Sequence, residues 1–95
     1  MGGDGAVVRA EVRIINRLGL HLRAAMKFVD RAAGFESEVF VVKDGRRASG
    51  KSILEMMTLA AEKGSAITIE AQGRDAPQAL AGLRGLIDEK FGEKD

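Results

Sequence analysis

Between Val8 and Ile14 the apolar residues Val8, Ala10, Val12 and Ile14 alternate with Arg9, Glu11 and Arg13. The same period of two returns later, where Ile67, Ile69 and Ala71 interleave with Thr68, Glu70 and Gln72. Alternation of this kind makes a strand with one dry face and one wet face. Such a strand needs neighbours for its backbone groups and a cover for its apolar side, so the rest of the chain must supply both.

The neighbours are legible. "SEVFVVK" and "RRAS" flank Asp44-Gly45, a pair suited to a two-residue hairpin turn in which both positions take positive φ. The cover comes from three stretches at helical spacing. Leu22, Ala25, Met26, Val29, Ala32 and Ala33 form the first, with Gly34 placed as a C-terminal glycine. Ser52 and Glu55 form a capping box before a short helix carrying Leu54, Met56, Met57 and Leu59 and ending near Gly64. Asp75 is expected to cap a last helix with Pro77 in its first turn and a buried stripe of Ala79, Leu80, Leu83, Leu86, Ile87 and Phe91. In that helix Gly82 and Gly85 suggest close approach to the sheet. The order strand, helix, strand, strand, helix, strand, helix predicts an α+β fold, an antiparallel sheet with helices on one face. More than one order of the four strands obeys the connection rules.

At 95 residues there is room for one domain. We expect a flexible tail over 1–6, a domain over 7–91 and a C-terminal tail over 92–95. A net charge of +1 gives no general attraction to nucleic acid or anionic lipid. No cysteine and one histidine leave neither a disulfide framework nor a credible metal site. No apolar run approaches a membrane span and no signal peptide is recognisable, so the expected location is cytoplasmic.

The one histidine, His21, falls at or beside the N-cap of the first helix. A helix start carries unpaired amides and partial positive charge, a setting in which a neutral ring nitrogen can serve as nucleophile and its phosphorylated product is stabilised. The backbone amides of Leu22 and Ala24 would face such an anion, and Arg23 would add a charged fork. With no acid, metal or second histidine nearby in sequence, the site has the means to hold a phosphoryl group and pass it on.

"NRLGLHLRAA", followed by "GKSILEMMTLAAEKG" and "ITIEAQGRDAPQAL", resembles the HPr family of histidine-containing phosphocarriers and its nitrogen-branch relatives, over nearly all of Val7 to Phe91. The resemblance implies an open-faced sandwich with strand order 1-4-2-3 and three helices on one side. It implies that His21 takes a phosphoryl group on Nδ1 from enzyme I, itself charged by phosphoenolpyruvate, and passes it to an enzyme IIA-type acceptor with Arg23 supporting the phosphate. It places Ser52 where many members are modified by HPr kinase/phosphorylase, and Leu22, Met26, Ile53, Leu54 and Met57 where partners dock. No cofactor is implied, and a monomer is expected. The family motif usually reads GLHARPA; here Leu22 replaces a small residue and Ala24 replaces proline, which restores an amide donor in the first turn. Leu18 stands closer to the nitrogen branch, whose members would act through regulatory binding rather than sugar uptake.

Plainer readings stand beside these. Ser52 is fully explained as a helix cap, and the patch residues could all be core. Met56 and Met57 cannot both face one way, so one is core and one exposed. Split α+β domains also bind RNA through strand aromatics, but only Phe40 of four phenylalanines lies in a strand. A purely regulatory paralogue is disfavoured by the retention of His21.

Overall fold

In the computed structural model, residues 7–95 are described; the expected tail over 1–6 lies outside them. The elements follow as β1 (Val7–Arg13), α1 (Leu22–Ala32), β2 (Glu38–Lys43), β3 (Arg46–Ser49), α2 (Ile53–Met57), β4 (Ala66–Gln72) and α3 (Ala76–Asp88), then a 3-10 turn at Lys90–Gly92. The sheet order is β1-β4-β2-β3, antiparallel throughout. This gives the open-faced α+β architecture that the alternation requires.

Register follows from the apolar period. On β4, Ile69 lies opposite Ala10 of β1 and Val41 of β2, while Ala71 lies opposite Val8 and Val39. All these side chains therefore point to one face, and Val39, Val41, Ile67, Ile69 and Ala71 are buried there beneath Phe28 of α1, Met56 of α2, and Leu83 and Ile87 of α3. Each large side chain in this layer contributes roughly 1.5–3 kcal/mol by leaving water. The other face is polar. Glu70 is paired with Arg9 at 3.1 Å and with Arg47 at 3.5 Å, and the Arg47 guanidinium lies 3.7 Å from the Phe40 ring centre. That contact covers the one strand aromatic an RNA base would need.

The hairpin turn forms as expected, with Asp44 at φ 50° and Gly45 at φ 80°. Five local expectations are corrected. α2 stops at Met57 instead of near Gly64, because Ala60 takes φ 50° and the chain leaves the helix to bury Leu59 and Ala61. The capping box is half formed: Ser52 Oγ accepts from the Glu55 amide at 3.1 Å, but Glu55 Oε1 accepts from the Ser49 amide at 2.8 Å rather than from that of Ser52. Asp75 makes no cap bond to α3; its carboxylate instead accepts from the amides of Glu36 and Ser37, both at 2.9 Å, and from Ser37 Oγ. A Cβ on Gly82 would meet the Phe35 ring at 3.3 Å rather than the sheet, and Gly85 faces open space. α1 in turn closes at Ala33 in right-handed geometry, so Gly34 supplies no left-handed cap.

Candidate functional site

The loop from β1 to α1 is built before His21 is reached. Asn16 is buried, and its side-chain amide nitrogen donates to the Gly19 carbonyl at 2.7 Å while its backbone carbonyl accepts from Gly19 N–H at 3.1 Å. Gly19 takes φ +67°, and a Cβ there would lie 2.6 Å from the Ala61 carbonyl oxygen and 2.9 Å from Glu62 Cα. Only glycine fits, since the obstacle is backbone and the conformation is left-handed. Leu20 N–H then bonds the Ala61 carbonyl at 2.8 Å and its side chain is buried. The chain enters α1 with its direction fixed.

His21 is the N-cap of α1, with φ −75° and ψ 177° and no side-chain cap bond. The first helical bond runs from Ala25 N–H to the His21 carbonyl at 2.8 Å. Helix geometry thus leaves the amides of Leu22, Arg23 and Ala24 without intrahelical partners. The His21 side chain is 27% exposed, and its Nε2 is hydrogen-bonded to Oε2 of Glu93. Glu93 Oε1 accepts from Asn16 Nδ2 at 3.0 Å. Burial pushes the Glu93 carboxyl up, but the hydrogen bonds from His21 and Asn16 and the nearby His21 and Lys27 charges outweigh it and hold the group below the usual glutamate value. Arg23 is exposed at the rim of the same depression and has no hydrogen bond or ion pair among the described residues.

Segment 92–95, expected as a tail, is part of this site. Lys90, Phe91 and Gly92 take φ values of 60°, 55° and 79°, which turn the chain back after α3. Lys27 Nζ donates to the Phe91 carbonyl at 2.7 Å, and Arg17 N–H donates to the Asp95 carbonyl at 2.6 Å. Asn16 and Glu93 were therefore not identifiable as site residues from sequence. Asn16-x-x-Gly19 does carry a turn signal, whereas nothing local connects Glu93 to a ring 72 positions away.

The family model described as "PTS HPr component phosphorylation site" matches residues 8–89. The chain belongs to the HPr family. It is 46% identical over 87 residues to the phosphocarrier protein HPr of Neisseria meningitidis, covering 92% of this chain and 98% of that protein. It is 40% identical over 83 residues to the phosphocarrier protein NPr of Shewanella violacea, covering 87% and 91%. Among solved structures, the crystal structure of HPr-C-His from Thermoanaerobacter tengcongensis superposes with a TM-score of 0.90 at 36% identity, covering 93% of this chain and 99% of that one. The HPr family consists of phosphocarriers of the phosphotransferase system, and the observed sheet order is the one that resemblance implied.

The remaining residues expected from HPr resemblance lie on α1 and α2. Leu22 and Met26 are about half exposed, Leu54 is 82% exposed, and Met57 is exposed while Met56 is fully buried. Arg23 and Met26 border both the depression at His21 and a second one between α1 and α2 that reaches Ile53. Leu54 and Met57 line neither. Ser52 is half-buried as the α2 N-cap, its hydroxyl accepting from Glu55. Ala24 is fully buried, so its methyl group fills a core position.

Proposed function

We propose that this protein is a phosphoryl carrier in which His21 accepts the group on Nδ1 from enzyme I and hands it to an enzyme IIA-type acceptor. One observation carries the reading: the ring caps a helix whose first three amides have no helical partner, and Glu93 holds Nε2, leaving Nδ1 as the nitrogen with a lone pair. The nucleophile attacks phosphorus, the bond to the donor's leaving atom breaks with its electron pair, and the arriving oxygens meet the Leu22 amide at the helix start, whereas the expected Ala24 amide belongs to a fully buried residue. Arg23 reaches the same oxygens with a charge it spends on no other side chain among the described residues. The chain itself turns nothing over; it is a substrate of phosphotransferases, acting as a monomer in the cytoplasm without a cofactor.

Exposed Leu22 and Met26 line the depression at His21, and Met26 also borders the one that reaches half-buried Ile53; with Leu54 and Met57 exposed on α2 they would form the docking face, and flexible methionine suits a face that meets several partners in turn. Ser52 sits at its edge as a site for HPr kinase/phosphorylase, where added phosphate would repel an acidic partner. Incubation with enzyme I and phosphoenolpyruvate tests the carrier reading. One acid-labile, base-stable phosphoryl group per chain is expected, absent from His21→Ala; full labelling of that variant overturns the reading.

A further inference from the structure

Phosphoryl transfer uses one nitrogen of the His21 ring, yet the fold takes trouble over the other. Glu93 reaches Nε2 from a segment fixed on both sides, by Lys27 on the Phe91 carbonyl at 2.7 Å and by Arg17 N–H on the Asp95 carbonyl at 2.6 Å. Its second oxygen is fixed as well, by buried Asn16 at 3.0 Å. The Asn16 amide nitrogen donates to two acceptors at once, the Gly19 carbonyl and the Glu93 carboxylate, so its orientation is determined. The loop that delivers His21 and the segment that delivers Glu93 therefore share one hinge-pin.

An ionised carboxylate can only accept, so Nε2 must donate, and a neutral ring then has its lone pair on Nδ1. We propose that Glu93 is a positioning residue for phosphoryl transfer, fixing the His21 ring as the Nε2–H tautomer and staying against it while the group arrives and departs. This rests on the carrier reading above. The electron count is simple. The Nδ1 lone pair forms the N–P bond, the bond from phosphorus to the donor breaks with its pair, and no proton has to leave the ring. The phosphorylated ring then carries a positive charge over Nδ1 and Nε2–H, next to the Glu93 carboxylate. On the outward step the N–P pair returns to Nδ1 and the ring is neutral again, still protonated on Nε2.

The other charged groups at this depression are Arg17, Arg23, Lys94 and Asp95, with Lys27 of α1 beside Glu93. Asp95 is drawn to Arg17, with 3.9 Å between its carboxylate and the Arg17 side chain, so Glu93 is the acid that serves the ring.

The test compares the full chain with Glu93→Ala and Glu93→Gln, the latter keeping shape and an acceptor oxygen without the charge. Ring nitrogens are read by 15N NMR of the unphosphorylated protein at about pH 9, where imidazole is neutral. Phosphoryl uptake from enzyme I is timed in parallel. The wild type should be mainly Nε2–H; Glu93→Ala should gain the Nδ1–H form and lose about tenfold in uptake rate at saturating donor, with Glu93→Gln between the two. An unchanged tautomer ratio in Glu93→Ala overturns the proposal, as does unchanged or faster uptake, which would mean that the carboxylate merely covers the ring. A wild-type chain that takes up no phosphoryl group overturns the carrier reading itself; a wild type that labels beside an equally fast Glu93→Ala overturns Glu93 alone.

Discussion

α1 and α2 begin in opposite ways. At α2, Ser52 supplies its own hydroxyl to the Glu55 amide and Glu55 ties back to Ser49, so the helix start is satisfied by residues within six positions. At α1, His21 supplies no cap bond, and its ring is turned over to a residue from the far end of the chain. α3 is a third case, its cap residue Asp75 serving the 36–37 backbone instead of its own helix. A helix start closed by its own sequence is a stability device. One left open, on a loop tied by Asn16 and by the Leu20 amide, keeps its first amides without helical partners, which is the feature the proposed carrier role uses.

The contrast breaks most sharply at Gly19. Gly19→Ala should cost about 2–3 kcal/mol in denaturant unfolding and abolish phosphoryl uptake, because a methyl group there meets the 61–62 backbone in a left-handed conformation. A variant of normal stability would show that the α1 start is not set by that contact.

Arg23→Ala sharpens the contrast from the other side. Uptake should slow by roughly 10- to 100-fold, the worth of a charge-assisted hydrogen bond, while stability stays within about 0.5 kcal/mol because this exposed side chain has no hydrogen-bond or ion-pair partner among the described residues. Parallel losses in calorimetry and transfer would make it structural. Ser52→Ala should do the reverse, costing about 1 kcal/mol of stability with uptake little changed; a slowed uptake at unchanged melting temperature would contradict the capping role.

The smallest effect belongs to Asp75. Hydrogen bonds from Ser37 and from the Glu36 amide hold its carboxyl below the ordinary value of 3.8. A depressed folded-state pKa adds stability that is present above pH 3.8 and is lost as pH falls through the lower folded value. The melting temperature of Asp75→Asn should therefore lie below wild type at pH 7, and the gap should narrow as pH falls below 3.8. A constant gap across that range would assign the effect to shape alone.

What could be read from sequence follows the same division. The strands were legible because Val8–Ile14 and Ile67–Gln72 carry their own burial pattern, and the hairpin because Asp44-Gly45 carries its own dihedral preference. Ser52 was legible as a cap because its partner amide is three residues on. Asp75 misled because it has the same chemistry as a cap while tertiary donors outcompeted the helix amides. Of the site, His21 and Arg23 stood out through residue type beside a helix start. Asn16 and Glu93 did not, since their roles arise only when the turn at Lys90, Phe91 and Gly92 brings the chain's end across the β1–α1 loop; of those three left-handed residues, only Gly92 announces itself.

The position of the phosphoryl group tests the central claim most directly. After charging with enzyme I and phosphoenolpyruvate, combined 15N and 31P NMR of the whole chain should show phosphorus bonded to Nδ1 of His21, with Nε2 still protonated. Phosphorus on Nε2, the nitrogen that faces Glu93, or on any other residue, would contradict it.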